Sequence, residues 1–215
     1  MDAVLENLPT FLRGFGTTLA LLGIASVGAL AIGTFVAAMR VSPVASLRGF
    51  ATVYTEILRN TPLTLVLFFC AFILPYLGVR IDFFLLASIG LIAYTSPFVA
   101  EAVRSGVNGV PVGQAEAARS IGLGFGQTLG IVVLPQAIRM VIPPLINVLI
   151  ALTKNTSVAG AFFVKELFAS AQDVINIRGD EVFAILIAVA VFYLLITVTL
   201  GRVAAVVEKR VVVLR

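Results

Sequence analysis

The strongest constraint on this chain is that uncharged apolar stretches, each about as long as a bilayer core is thick, recur along it with only short charged connections between them. A hydrocarbon core takes roughly 20 apolar residues as a helix, and lipid offers no partner to backbone N–H and C=O groups, so each stretch has to be helical. Gly14 to Met39 is the clearest, followed by Phe83 to Ala100, Ile138 to Val164 with Lys154 inside it, and Val182 to Gly201. Phe50 to Val79 is a fifth, with Glu56 and Arg59 near its start and Pro62 and Pro75 as expected kinks or ends. With 60% hydrophobic and 12% charged residues and a mean hydropathy of +1.11, the 215 residues hold more apolar surface than a soluble domain of that size buries. The first stretch follows Asp2 and Glu6, exceeds a signal-peptide core in length and lacks a cleavage-site pattern, so it is expected to stay as a spanning helix. The chain therefore reads as an all-α integral membrane protein with five transmembrane helices, at about 14–39, 50–79, 83–105, 136–164 and 181–205. They form one membrane domain over 1–215, with a long connection at 106–135.

A further uncharged stretch, Ser120 to Ile138, is interrupted by Pro135 and weakened by Gly122, Gly124, Gly126 and Gly130. It reads as a loop carrying a short helix. Five crossings place the termini on opposite sides. With Arg202, Lys209, Arg210 and Arg215 inside, the inner side collects nine basic residues, including Arg40, Arg48, Arg104, Arg119 and Arg139. The outer side keeps four: Arg13, Arg80, Lys165 and Arg178; Arg59 and Lys154 lie near membrane depth. Basic residues accumulate on the cytoplasmic side, so the N-terminus is expected outside and the C-terminus in the cytoplasm. Because the charges fall between apolar runs, the net charge of +4 marks membrane-surface loops and not a nucleic-acid footprint.

Residue types narrow the chemistry further. The chain has no His and no Trp, and its one Cys, Cys70, sits in an apolar run and reads as packing. Imidazole acid–base chemistry, His-based metal sites and internal disulfides fall away, and no bound metal or cofactor is expected. Lys154 and Ser157 share a helix with hydroxyls on either side, a poor match to a Ser–Lys hydrolase, and no other nucleophile is flanked by a base. The chain lacks G-x-x-x-x-G-K-[ST], so it has no nucleotide-hydrolysing loop of its own.

The connection between the third and fourth spans reads GQAEAARSIGLGFGQTLGIVVLP. Gln114 to Ser120 is a strong helix former, and Gly122 supplies the turn that ends it. Glu116-Ala117-Ala118, then Gly122, then Leu134-Pro135, with Val132 where Ile is usual, resembles the EAA loop of bacterial ABC importer permeases. Arg59-Asn60-Thr61-Pro62-Leu63 and Lys154-Asn155-Thr156-Ser157 resemble the polar amino-acid branch of that family. MRVSP at Met39 to Pro43, RNTPLTLV at Arg59 to Val66, YTSPFVAE at Tyr94 to Glu101 and the loop itself are similar to the glutamate permeases of actinobacteria. The resemblance implies a type I importer permease in a bacterial plasma membrane, moving an amino acid by alternating access. Its implied partners are two ATPase subunits that use ATP and magnesium, a second permease, identical or homologous, and an extracytoplasmic solute-binding protein. It also implies that Ala115, Glu116, Ala117, Ala118, Arg119 and Gly122 form the coupling helix that seats in the ATPase.

A free amino acid carries a carboxylate and an ammonium, so its passage needs polar lining at membrane depth, where ionisable groups are otherwise costly. Arg59, Thr61, Glu101, Lys154, Asn155, Thr156 and Ser157 are the candidates. Glu56 with Arg59, and Glu101 with Arg104, lie three residues apart on one helical face, so each is either a self-satisfied local pair or part of the lining. Lys154 has no acid within a helical turn. Its partner is either a substrate carboxylate or a carbonyl freed by a break of the fourth span at Pro143-Pro144. An ion-coupled secondary transporter is the rival reading, though the chain shows none of the internal repeats common in such folds.

Overall fold

The computed structural model describes residues 2–212, and among them every regular element is helical. The elements are α1 (Asp2–Glu6), α2 (Leu8–Arg40), α3 (Ala45–Arg59), α4 (Leu63–Tyr76), α5 (Phe83–Asn108), α6 (Val112–Ser120), α7 (Phe125–Phe162), α8 (Leu167–Ile177) and α9 (Val182–Val212). The helices α2, α5, α7 and α9 are each long and apolar enough to cross a membrane, and α3 with α4, bent by 101° at the break between them, is apolar enough only as a pair, which gives up to five crossings. The side chains of Arg210 and Arg215 lie outside the described residues.

The bend between α3 and α4 follows from Pro62. Its φ of −61° and ψ of 139° are extended, and its carbonyl accepts from the Leu65 and Val66 N–H groups to restart the helix. Pro75 marks the end of the span, as expected from the sequence. It sits in the last turn of α4, after a π-helical turn at Phe69–Ile73, and the helix ends at Tyr76.

The fourth span departs most from expectation. Helix α7 starts at Phe125 rather than near 136, so much of the glycine-rich stretch is helical. A π-helical turn at Thr128–Val133 precedes Pro135, which then occupies the first turn of the regular helix, where a missing N–H costs least. Gln127 Oε1 accepts from the Gly124 N–H at 3.0 Å at the start, and Gln136 Nε2 donates to the Val132 carbonyl at 2.8 Å across the π turn. Tertiary packing against α6 outweighs the glycine penalty of about 1 kcal/mol per residue. Pro143 and Pro144 do not break the span either; the helix is continuous over Leu134–Asn155 and tightens into 3₁₀ turns at Thr156–Phe162.

Helix α2 is the spine. It buries Gly14, Thr18, Leu21, Ala25, Ala29 and Gly33, a stripe spaced at one helical turn, and packs most extensively on α5. Close approach requires the small residues: a Cβ at Gly33 would lie 2.6 Å from the Ser96 carbonyl. Leu21 and Ala25 meet Leu63 and Leu67 of α4, Ala87 and Leu91 of α5, and Leu152 of α7 in one core, while Phe11, Leu167, Ala171, Val174, Ile185 and Val189 form another at the end where α1 and α8 lie. Large apolar side chains such as Val27, Phe35, Phe183 and Ile187 remain exposed around the outside, the surface that lipid or a partner subunit covers.

Candidate functional site

Four polar features stand out against this apolar scaffold. The first is a charge cluster near the C-terminal ends of α2, α3 and α5. Glu101 takes Arg104 on Oε1 and Arg40 on Oε2, and Arg59 stands 3.8 Å from Oε2. The expected Glu101–Arg104 pair forms, but as part of a group of three guanidiniums around one carboxylate, a formal excess of two positive charges. The Glu56–Arg59 pair does not form: Glu56 accepts from Asn60 Nδ2 at 3.4 Å, and Arg59 turns to Glu101 and lies over the Phe98 ring, 5.7 Å from its centroid.

Phe98 is also a wall of the second feature, a cleft of about 400 Å³ between α5 and α7, lined by Tyr94, Thr95 and Phe98 on one side and by Asn147, Val148, Ala151, Leu152 and Asn155 on the other. The Tyr94 and Phe98 rings meet with centroids 5.4 Å apart and planes tilted by 49°. Pro97 leaves the Ala93 carbonyl without its helical donor, and Tyr54 Oη at 3.4 Å and Ser96 Oγ at 3.2 Å approach that carbonyl from the α3 side. The cleft side receives no such help. Thr95 Oγ1 is, among the described residues, the one buried side-chain polar atom without a hydrogen-bond partner.

Of the expected lining residues, Asn155 lies in the cleft and Arg59 borders it through Phe98. Lys154 is exposed on the subunit surface beside Asn155. The hydroxyls of Thr61, Thr156 and Ser157 donate to the carbonyls of Ile57, Thr153 and Lys154 at 2.7, 2.7 and 2.8 Å, so they serve the local helix. Thr95, Tyr94, Phe98 and Asn147 were not singled out from sequence. The first three belong to YTSPF at Tyr94 to Phe98, where the proline within an apolar span is the available signal; Asn147 carries none.

The third feature is α6. It ends in a Schellman turn: Gly122 has φ +93°, its N–H bonds the Arg119 carbonyl at 3.0 Å, and the Leu123 N–H bonds the Ala118 carbonyl at 3.2 Å. Ala118 is buried against the chain's own π turn and Ala115 is half-buried, whereas Glu116, Ala117 and Arg119 face outward. Val112, Ile121 and Phe125 add exposed apolar surface of 73%, 80% and 78% around them, a docking-type patch that composition alone did not reveal.

The fourth feature lies at the opposite end of the bundle. Glu166 is fully buried and caps α8, accepting from the Ala169 N–H at 2.7 Å, the Phe168 N–H at 2.9 Å and Tyr193 Oη at 2.8 Å, with Thr18 Oγ1 at 3.5 Å. Burial pushes its carboxyl above the ordinary value, and the four donors pull the other way without cancelling that rise. Nearby, Lys165 pairs with Asp173 at 2.7 Å, and Arg178 bridges Glu6, Asp180 and Glu181.

Comparison with known proteins agrees with this architecture. Residues 29–213 match the family described as the inner membrane component of binding-protein-dependent transport systems. The chain is 43% identical over 205 residues to the glutamate transport system permease protein of Corynebacterium glutamicum, covering 90% of each. It is 39% identical over 210 residues to a probable glutamine ABC transporter permease protein of Bacillus subtilis, covering 98% of this chain and 97% of the other. A crystal structure of an amino acid ABC transporter with histidines superposes with a TM-score of 0.89 at 30% identity over 96% of both chains. A methionine ABC transporter in inward-facing form shares the fold at a TM-score of 0.75 and 22% identity. A bundle of helices long and apolar enough to cross a membrane, a helix exposed at its end that carries Glu116-Ala117-Ala118, and these matches together place the chain in the family of membrane-spanning permease subunits of binding-protein-dependent ABC importers.

Proposed function

We propose that this permease passes glutamate through the cleft between α5 and α7. The observation that carries the reading is the cleft itself: about 400 Å³, within the usual range for a small-molecule site, with aromatic walls, the uncommitted amides of Asn147 and Asn155, and a positively charged cluster beyond Phe98. Glutamate is supported by the 43% identical relative, whose name states that substrate, and by the cationic excess around Glu101, which suits an anionic amino acid. The permease works as one of two such subunits, identical or homologous, with two ATPases on the α6 side and a solute-binding protein on the Glu166 side. ATP and magnesium belong to the ATPases. Arg40, Arg48, Arg104 and Arg119 gather at the α6 end, while the opposite end carries the acid-laced Arg178 cluster, which supports a cytoplasmic α6 and C-terminus and an N-terminus outside. Closure of the ATPases pushes α6, whose buried Ala118 packs on the first turns of α7, and so moves one wall of the cleft.

The test is ATP-driven uptake of labelled glutamate by vesicles holding the whole complex. Ala151→Trp fills the cleft from a position open to it and is expected to abolish uptake while the subunits still assemble. Uptake at the wild-type rate in that variant places the passage elsewhere.

A further inference from the structure

Thr95 holds a buried hydroxyl that its surroundings leave unused. Other buried threonines in these helices return the hydroxyl to the carbonyl one turn back, as Thr18 does to Gly14 at 3.2 Å, Thr55 to Ala51 at 2.7 Å and Thr153 to Leu149 at 2.9 Å. Thr95 does not, although it is only 3% exposed and its Oγ1 has no partner. Leaving a buried hydroxyl unpaired is costly, and a threonine in a helix has an easy remedy, so an unpaired one calls for a reason. Its position supplies one. The side chain lines the cleft, opposite the unpartnered amides of Asn147 and Asn155 and one turn from Phe98.

We propose that the Thr95 hydroxyl is a direct ligand of the translocating amino acid, held unpaired in the empty cleft and satisfied only when substrate enters. This rests on the cleft being the passage. A hydroxyl donates to a carboxylate or accepts from an ammonium, so it fits the head group that every amino acid presents. Because Oγ1 is withdrawn beneath the cleft wall in this conformation, the contact forms by a χ1 rotation or as α7 moves on α5. An unpaired group in the empty state then becomes binding energy in the loaded one.

Two variants and two readouts test this. Thr95→Val keeps the shape and removes the hydroxyl; Thr95→Ser keeps the hydroxyl. Equilibrium binding of labelled glutamate to the permease–ATPase complex without binding protein is expected to weaken about ten-fold in the valine variant, the size of one hydrogen bond to a charged group, and to stay near wild type in the serine variant. Thermal unfolding of the same complex without substrate is expected to be no lower for valine than for wild type, because no bond is lost. Wild-type glutamate binding in Thr95→Val, or a clear drop in its melting temperature, overturns the proposal. The cleft reading fails separately, through wild-type uptake in Ala151→Trp, and in that event a Thr95→Val effect counts as structural and this proposal falls with it.

Discussion

Two polar regions inside this permease look alike in composition and behave as opposites. Around Glu166 every oxygen is used: two backbone N–H groups, Tyr193 and Thr18 converge on one carboxylate, and Gly160 is bare because a Cβ there would come within 2.7 Å of Glu166 Oε1. In the α5–α7 cleft the amides of Asn147 and Asn155 face about 400 Å³ of open space with no protein partner, and the Thr95 hydroxyl, just beneath the cleft wall, has none either. A satisfied network in tight packing joins α2, α7, α8 and α9 into one body; an unsatisfied one beside a void waits for something to bind. The comparison separates polar residues that build the permease from polar residues that serve its cargo, a distinction that residue type alone does not draw.

The contrast breaks most visibly at Glu166. Replacing it with Ala strands two N–H groups of α8 and the Tyr193 hydroxyl, and the combined loss of cap and buried bonds is expected to cost about 3 kcal/mol, read as a lowered melting temperature of the purified complex. Below that temperature glutamate binding should match wild type; weakened binding in the folded variant would erase the division between the two regions. A smaller effect tests the carboxyl itself. Burial raises its pKa in the folded state above the ordinary value, so its contribution to stability is full below about pH 4.5 and is lost as pH rises through the folded value. The melting temperature of wild type minus that of Glu166→Gln should therefore decrease as pH rises from 4.5. A difference that increases with pH would show that the four donors outweigh burial.

Much of the scaffold was legible because lipid leaves few options. Uncharged runs of bilayer length become helices whatever their detail, and Glu116-Ala117-Ala118 with Gly122 marked α6 because a helix ended by a positive-φ glycine has a local signature. Prolines were legible only in part. Pro135 suits a helix start and does stand in the first turn of the regular helix, although a π turn ahead of it carries α7 back to Phe125; Pro143 and Pro144 read as breaks, but packing on α5 and α9 keeps the helix continuous through them. Of the charged candidates, Glu101 keeps its helical neighbour Arg104, whereas Arg59 leaves Glu56 for Glu101 across a helix interface, because pairing is decided by which helices meet. Thr156 and Ser157 looked like lining because hydroxyls at membrane depth are costly, yet their carbonyl bonds pay that cost within the helix. What identifies Thr95 is a missing bond, and absence of a partner is visible only once the neighbours are in place.

Asn155 offers the finest test of the comparison, because its expected structural effect is the smallest. Its amide has no hydrogen-bond partner in the fold and faces the cleft from the last turn of the regular part of α7, so truncating it removes no internal bond and leaves little void. Asn155→Ala is accordingly expected to change stability by no more than about 0.5 kcal/mol, while glutamate uptake falls roughly ten-fold through loss of a substrate contact. The neighbouring Thr156 gives the converse. It is fully buried and its hydroxyl is committed to Thr153, so Thr156→Val should lower the melting temperature while glutamate binding to the folded complex stays near wild type. Two adjacent residues, one facing open space and one facing the core, then report stability and transport in opposite proportions. If instead both variants lose stability and transport together, the polar turn at the end of α7 acts as a single structural unit, and the cleft owes its free amide to the empty state alone.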